Sequence, residues 1–260
     1  MTGSGHPRVT QADHDRAAEL ARQAGEVLLT LRKRIGDDLT ADQARDQGDK
    51  SSHELLAAAI TELFPDDGLL SEEGKDSSER LGRERVWIVD PLDGTREFGE
   101  PGRDDWAVHV ALSVAHEAVV GAVALPARSL VLSTCNPPSA PARPSVDEEL
   151  RVVVSRTRPP QSAERLSELL GARMVPMGSA GAKAMAVVLG DADIYFHAGG
   201  QYEWDSAAPV AVAASAGLHV SRTDGSPLRY NQANPWLPDL LICRKDLAER
   251  VLDGLAQVLA

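Results

Sequence analysis

The chemistry of this chain concentrates in Trp87-Ile88-Val89-Asp90-Pro91-Leu92-Asp93-Gly94-Thr95. An apolar run there delivers two aspartates, a backbone carbonyl and a threonine hydroxyl into one short turn. Glu72-Glu73 precede it, and Trp204-Asp205 follow far downstream. Oxygen donors alone, with no His or Cys among them, suit a hard divalent cation such as Mg²⁺ and disfavour zinc. The stretch points to metal-assisted phosphate hydrolysis. Asp90 ends a strand, where its carboxylate can bridge two cations. Pro91 fixes φ and lacks an N–H, which helps turn the Leu92 carbonyl inward. Asp93 then reaches the second cation, and Gly94 allows the tight exit. Thr95 opens a short helix, so its hydroxyl and nearby N–H groups face the same anion. Glu72 or Glu73 adds charge to the first cation from the end of an adjacent strand. Two cations about 3.5–4 Å apart can clamp a phosphate and bring the pKa of a bridging water toward neutrality. Plainer readings compete: Asp-Gly commonly marks a simple turn, and a Glu pair commonly a solvated surface. Asp205, at the start of an apolar helix, has sufficient reason to be there as an N-cap.

The elements that must position these groups can be read from periodicity. Ala17, Leu20, Ala21, Ala24, Val27, Leu28 and Leu31 form one helical stripe over residues 10–34, with Thr10 or Asp13 as cap and Gly36 as stop. Residues 35–48 are polar and charged and read as a mobile segment. A second helix is expected over 51–64, ended by Pro65-Asp66-Asp67-Gly68. Short strands follow at 68–71 and 86–89, then three antiparallel strands at 106–114, 119–125 and 130–134. Four prolines in 136–145 mark the best boundary, dividing the chain into halves at 1–140 and 141–260. Downstream, strands (152–154, 174–177, 194–196, 219–221, 240–243) alternate with helices (163–170, 180–189, 205–216, and one from Asp246), with a turn at Asp224-Gly225. The sum is a layered α+β protein.

Composition bounds the partners. The chain has 260 residues, is 43% hydrophobic and carries a net charge of −12, which argues against a nucleic-acid polymer as partner. A small anionic substrate remains compatible, because bound cations invert the local field. Cys135 and Cys243 make neither a disulfide framework nor a metal cluster. The polar residues 1–9 lack an apolar signal region, and no stretch approaches the length of a membrane span. A cytoplasmic protein without a membrane partner is expected.

Taken together, the two acidic motifs resemble the inositol monophosphatase superfamily of Mg²⁺-dependent, lithium-sensitive phosphatases, over most of the chain. The resemblance implies the layered α/β/α/β/α sandwich of the sugar phosphatases. It implies that Glu72, Asp90 and the Leu92 carbonyl hold one Mg²⁺, and Asp90, Asp93 and Asp205 a second. A third, weaker ion near Glu72 is implied as well, and Glu73 is left beside the site or on the surface. Asp49, in Gly48-Asp49-Lys50, matches the aspartate that pairs with the motif threonine, so Asp49 and Thr95 would orient and deprotonate the attacking water. A homodimer is also implied, since the family is commonly dimeric. Within the superfamily, Thr95-Arg96-Glu97-Phe98, Val154-Ser155-Arg156, Gly178-Ser179-Ala180-Gly181-Ala182-Lys183 and Asp224-Gly225-Ser226-Pro227-Leu228 are similar to segments of the CysQ-type 3′(2′),5′-bisphosphate nucleotidases. Leu125-Pro126-Ala127-Arg128 and His197-Ala198-Gly199-Gly200 resemble the actinobacterial form of that group. Inositol phosphatases carry a glutamate seven positions before the second-motif aspartate, where this chain has Ala198. That departure lowers the expectation of inositol phosphate as main substrate.

The implied reaction converts adenosine 3′,5′-bisphosphate to AMP and phosphate, removing a by-product of sulfate assimilation. Substrate would be held by Asp93, Gly94, Thr95 and Asp205 at the reacting phosphate. The second phosphate needs cations, with Arg156 and Lys183 the candidates and Arg96 and Arg158 behind them. His197 and Gln201 could reach base or ribose, and Trp236 and Tyr230 are further base contacts to consider. Trp87 and Trp204 read as core aromatics. His53, His109, His116 and His219 read as structural or exposed, with no Ser-His-Asp arrangement among them. Two alternatives stand: a broader inositol-1-phosphate or fructose-1,6-bisphosphate phosphatase, and a non-catalytic nucleotide-binding protein on the same scaffold.

Overall fold

Thr10 starts the first helix as its N-cap. Its N–H donates to Asp13 Oδ2 at 2.7 Å, while the Asp13 N–H donates back to the Thr10 carbonyl at 3.0 Å. The computed structural model describes residues 9–139 and 149–259. Helix α1 (Gln11–Arg32) ends before Gly36, which sits in the following turn at φ +90°. Helix α2 (Ala41–Leu63) begins ten residues earlier than periodicity suggests, so part of the expected mobile segment is helical. The cause is local. Thr40 and Gln43 cap each other reciprocally at 2.9 and 3.2 Å. The buried face of this first half is built from Ala44, Gly48 and Ser52, too small to register as an apolar stripe. A Cβ on Gly48 would stand 3.1 Å from both Leu28 and Leu92. Close packing of α2 on the metal turn therefore depends on that glycine.

Strands β1 (Gly68–Ser71), β2 (Arg85–Asp93), β3 (Ala107–Val114), β4 (Glu117–Leu125) and β5 (Leu130–Ser133) form one sheet in that order. Only the β1–β2 pair is parallel. A single short helix, α3 (Thr95–Gly99), leaves the end of β2. The second sheet has the order β7-β6-β8-β10-β9. Its members are β6 (Leu150–Ser155), β7 (Ala172–Met177), β8 (Ile194–Tyr202), β9 (His219–Ser221) and β10 (Trp236–Cys243). The intervening helices are α4 (Gln161–Leu170), α5 (Ala180–Leu189), α6 (Glu203–Ser215) and α7 (Ala248–Val258). The last of these follows a 3₁₀ turn at Lys245–Leu247 rather than starting at Asp246. Strands β2, β8 and β10 run beyond their expected bounds, because flanking polar residues pair as well as apolar ones.

Three apolar clusters define the layers. Helices α1 and α2 cover one face of the first sheet with Leu28, Leu56, Trp87 and Val110. Helices α5 and α6 fill the space between the sheets, where Ile88, Ala111, Met185, Val212 and Ile242 meet. Helices α4 and α7 cover the outer face of the second sheet with Leu166, Phe196 and Val251. The result is the expected α/β/α/β/α sandwich. The expected division at 140/141 lies outside the described residues. The second half nevertheless shares its central core with the first, since α6 packs on β2, β3 and β4. Among the described residues no helix is long and apolar enough to cross a membrane.

Gly121 of β4 sets how closely α6 approaches the first sheet. A Cβ there would stand 2.6 Å from the Ala208 carbonyl oxygen and 2.8 Å from the Ala211 Cβ. Both obstacles belong to the body of α6 and cannot swing aside. Gly121→Ala should lower the melting temperature by about 3–10 °C, the range expected from 1–3 kcal/mol of overpacking in a domain of this size. Differential scanning calorimetry checks it.

Candidate metal centre and active site

Strand β2 is apolar on both faces because both are covered. Val86 and Ile88 enter the central core, Trp87 and Val89 the outer one. Alternation then aims Asp90 toward the central layer, opposite His109 of β3. Register slips between Asp90 and Asp93, a bulge that Pro91 accommodates because it has no N–H to lose. The backbone of the bulge, buried but left unpaired by the ladder, is held from three sides. Ser52 Oγ donates to the Pro91 carbonyl at 2.7 Å, the Leu92 N–H donates to Asp90 Oδ1 at 3.0 Å, and Thr95 Oγ1 donates to the Leu92 carbonyl at 3.1 Å. Gly94 takes φ +82° at the exit, 3.0 Å from the Ser179 Cβ if it carried a Cβ of its own.

Helix α6 brings the third part of the site. Asp205 sits at its third position rather than at the cap, and its Oδ2 accepts the Tyr202 N–H at 2.6 Å. It caps the helix and still joins the cluster. Asp90, Asp93 and Asp205 each offer a carboxylate oxygen within 4.8 Å of the other two. Glu72, just after β1, is hydrogen-bonded to Asp90 from the solvent side. The first and second motifs therefore meet in space.

Burial and crowding of like charges mark three of the four members. Burial, then the charges of Glu72, Asp93 and Asp205, push Asp90 well above the usual carboxylate range. Burial and Asp205 raise Glu72 to about 7, and burial and Asp93 raise Asp205 to about 6. Asp93 goes the other way. Burial opposes its charge, but His109, the Ser179 hydroxyl and the Gly181 N–H overcome it. This is a cluster that asks for cations: two buried carboxylates, Asp90 and Asp93, held against the more open Asp205 and Glu72, with only hard oxygens as donors. The residues present fit Mg²⁺. Glu72, Asp90, Asp93, Asp205 and the Leu92 carbonyl could hold it.

Asp49 reaches the same place from α2. Burial, Glu73 and Asp46 raise it to about 7, against a hydrogen bond from Thr95. Glu73 itself is exposed.

His109, expected to be structural or exposed, is structural, and its place beside the metal turn is what the sequence did not reveal. It is fully buried, with Nε2 3.2 Å from Asp93 Oδ2 and Nδ1 3.0 Å from the Trp204 carbonyl oxygen. One visible signal was an imidazole inside an otherwise apolar stretch of β3, on the inward row. Asp93 also accepts the Ala180 N–H at 3.0 Å and the Gly181 N–H at 2.6 Å, so it is locked onto the start of α5. Gly181 is required there, because a Cβ would stand 2.0 Å from His109 Nε2. Gly181→Ala should cut kcat/KM by about 10²-fold, the cost of a displacement near 1 Å at the reacting centre. Steady-state kinetics with circular dichroism to confirm folding test it. Glu203 is a second missed residue. It is buried at the start of α6 and accepts the Asn231 and Gln232 N–H groups at 2.6 and 2.8 Å. Arg80 grips the same two residues, donating to Asn231 Oδ1 at 2.7 Å and to the Gln232 carbonyl at 3.0 Å.

A cleft of about 470 Å³ opens beside the cluster, lined by Asp93, Gly94, Thr95, Arg96, Arg156, Arg158, Lys183, His197, Gln201 and Asp205, among others. Arg156 donates to Glu97 and Glu100, both at 2.6 Å. Lys183 is buried and donates to the Gly178 and Ser179 carbonyls at 2.7 and 2.8 Å. Burial lowers its pKa, opposed by Asp93 and Glu97. His197 Nε2 lies 2.8 Å from the Gly200 carbonyl oxygen. Tyr230 does not reach the cleft: it is 1% exposed, with its hydroxyl 3.3 Å from Ser206 Oγ in the central core. The apolar ring is worth more buried there than at a polar rim. Trp236 is exposed at the start of β10, closely covering Gly200. Trp87 is wholly buried, as expected of a core aromatic, whereas Trp204 is half-buried and stacks on Tyr202 at 4.6 Å. His53, His116 and His219 lie within 3 Å of Ser71 Oγ, the Tyr230 carbonyl oxygen and Ser221 Oγ respectively.

Comparison with known proteins places this geometry. A 3′-phosphoadenosine 5′-phosphate phosphatase of Mycobacterium bovis is 50% identical over 241 residues, 90% of this chain and 89% of that protein. Its Mycobacterium leprae counterpart is 49% identical over 255 residues, 93% of each chain. The 3′(2′),5′-bisphosphate nucleotidase CysQ of Escherichia coli is 29% identical, covering 86% of this chain and 96% of that one. The crystal structure of CysQ from Bacteroides thetaiotaomicron superposes with a TM-score of 0.76 at 27% identity, over 90% of this chain and 98% of that one. The family model for the inositol monophosphatase family matches residues 11–258, so this chain, with its metal turn and its helix-borne Asp205, belongs to that family.

Proposed function

We propose that this chain is a Mg²⁺-dependent phosphatase that converts adenosine 3′,5′-bisphosphate to AMP and phosphate. The observation that carries the proposal is the convergence of Glu72, Asp90, Asp93 and Asp205 beside a cleft with cationic side chains. The names of relatives at about half identity over nine-tenths of both chains support the substrate. Ala198 in place of the glutamate that would bind inositol hydroxyls weighs against inositol phosphate. In the cell the reaction would clear a by-product of sulfate assimilation from the cytoplasm.

Bound divalent cations would supply charge stabilisation at the phosphoryl oxygens and a more acidic water. The chain supplies placement and proton traffic. Thr95 Oγ1 stands between the Leu92 carbonyl and the Asp49 carboxylate. When Asp49 is ionised it can accept the hydrogen bond of the Thr95 hydroxyl in place of the Leu92 carbonyl, and the Thr95 oxygen then accepts a hydrogen bond from a water. That water oxygen attacks phosphorus as the bond to the ribose 3′-oxygen breaks. The leaving oxygen takes a proton from a second, solvent water to end as the ribose hydroxyl, while the attacking water's proton passes by way of the Thr95 hydroxyl to Asp49, which returns it to solvent. Asp49→Asn keeps the shape but removes the acceptor, and kcat should fall by about 10²–10⁴-fold, the usual worth of a positioned general base.

The test is phosphate release, with Mg²⁺ and with chelator, from adenosine 3′,5′-bisphosphate, inositol 1-phosphate and fructose 1,6-bisphosphate. The expected result is a clear kcat/KM preference for the bisphosphate nucleotide, dependent on Mg²⁺. Preference for either sugar phosphate replaces the substrate assignment. No release from any of them favours a nucleotide-binding protein on the same scaffold.

A further inference from the structure

The cleft carries four cationic side chains, Arg96, Arg156, Arg158 and Lys183, and the structure divides them into two pairs. Arg156 is already neutralised, donating from Nε to Glu97 and from Nη2 to Glu100. It lies at the end of β6 and both glutamates lie on or next to α3, so this fork ties the second sheet to the helix that Thr95 opens. Lys183 has spent two of its three donors on the Gly178 and Ser179 carbonyls. It thereby pins the turn whose N–H groups and hydroxyl hold Asp93. Both residues already have structural work that a phosphate would have to displace.

Arg96 and Arg158 differ. Among the described residues neither guanidinium donates a hydrogen bond or closes an ion pair, although the chain is acidic overall and the charge of Arg96 is felt by Glu100. Arg96 is adjacent to Thr95, on the side of the first sheet. Arg158 follows β6 on a turn braced by Ser155, whose Oγ accepts the Arg158 N–H at 3.3 Å. The two come from opposite halves of the chain and line the same cavity as Asp93 and Asp205. A substrate with two phosphates can place only one at the acidic cluster. The other is a dianion near carboxylates in a chain of net charge −12. An unpaired guanidinium is the group best suited to it, offering a planar fork at little loss of existing bonds.

We infer that Arg96 and Arg158 together bind the second, non-reacting phosphate and so select bisphosphates over monophosphates, while Arg156 and Lys183 are positioning residues. The inference rests on the proposed phosphatase activity toward adenosine 3′,5′-bisphosphate and names the groups that read that substrate.

The test compares adenosine 3′,5′-bisphosphate with adenosine 3′-monophosphate, which has the same leaving oxygen and lacks the second phosphate. For Arg96→Gln/Arg158→Gln the ratio of kcat/KM between the two substrates should fall about 10²-fold, as expected for two charge-assisted contacts. The loss should sit in KM for the bisphosphate, with little change in its kcat. Arg156→Gln should lower kcat for both substrates alike and leave the ratio near the wild-type value. A double variant that keeps the wild-type ratio overturns the inference and leaves the activity standing. So does an Arg156→Gln variant that alone erases the preference. A wild-type protein that turns over sugar phosphates but not the bisphosphate nucleotide defeats the substrate proposal, and this inference with it.

Discussion

Asp90→Asn should abolish turnover and at the same time raise the melting temperature of the cation-free protein. The two effects have one cause. Asp90 is 1% exposed and stands between Glu72, Asp93 and Asp205, all of which push its pKa upward together with burial. Without cations the native state must either protonate this carboxyl or tolerate the repulsion. An amide of the same shape removes that demand and keeps Oδ1 to accept the Leu92 N–H. A gain of about 1–2 kcal/mol, the typical scale for relieving a buried like-charge contact, moves the melting point of a chain this size up by about 2–8 °C. With Mg²⁺ the order reverses. The wild-type chain gains stability from ligand linkage, and the variant, lacking the shared donor, gains little. Turnover should drop by about 10³-fold or more, the scale seen when one electrostatic centre of a preorganised site is lost. Thermal melts with chelator and with Mg²⁺, run beside phosphate-release assays, read all three quantities. Near-normal activity in Asp90→Asn would remove Asp90 from the site. A lower cation-free melting point would show that the carboxylate contributes packing or hydrogen bonds that outweigh the repulsion.

Much of the site was legible because its chemistry is compact in sequence. Residues 87–95 carry a strand, a bulge and a helix start in one run, and residue type alone ordered the donors. The bulge itself needed Pro91, which is visible, and the Ser52 hydroxyl that holds its carbonyl, which is not. Asp205 was legible as an aspartate opening an apolar helix, but its position within that helix was off by two residues, because Glu203 is buried and reads as polar loop. The layered α+β class followed from the order of elements, helices, then antiparallel strands, then strands alternating with helices, whereas the α/β/α/β/α stacking came only with the family resemblance. The first half of α2 was not legible, because tight packing against Leu28 and Leu92 selects Ala44, Gly48 and Ser52, which carry no hydrophobic signal. His109 and Gly181 were hidden for a related reason. Their importance lies in a contact between β3 and α5, more than seventy residues apart, and no local pattern records a pair of that separation. Tyr230 shows the converse error: an aromatic in a late loop looks available to a base until the loop folds back onto α6.

In the absence of divalent cations the protein should melt at progressively lower temperature as the pH rises from about 5 to 8. Asp49 and Glu72 are raised to about 7 and Asp205 to about 6, from unperturbed values of 3.8, 4.5 and 3.8. A carboxyl with a raised folded-state pKa binds its proton more tightly in the native chain than in the unfolded one. Its stabilisation is complete below the unfolded value and is lost as the pH climbs through the folded value. The loss is steepest between about pH 5 and 6, where these carboxyls are ionised in the unfolded chain and protonated in the native one, and it fades above 7 once Asp205 and then Asp49 and Glu72 have ionised. His109 acts in the same direction, since Asp93 raises its pKa despite burial. Opposing contributions come from His197 and His219, both lowered by burial, which gain stability as the pH rises toward 6.5. Paired carboxylates such as Asp13 and Asp239 have lowered pKa values, so their effect is confined to more acidic solutions. Three or more carboxyls against two half-buried imidazoles leave the net slope negative above pH 6. Millimolar Mg²⁺ should flatten it and give its largest rise in melting temperature at the alkaline end, because cations bind the ionised cluster and compete with protons for it. Melts from pH 5 to 8.5 with chelator and with Mg²⁺ test the sign. A cation-free melting point that stays level or increases from pH 6 to 8 would mean that these carboxylates are not pressed together in solution, and the metal centre would have to be abandoned with them.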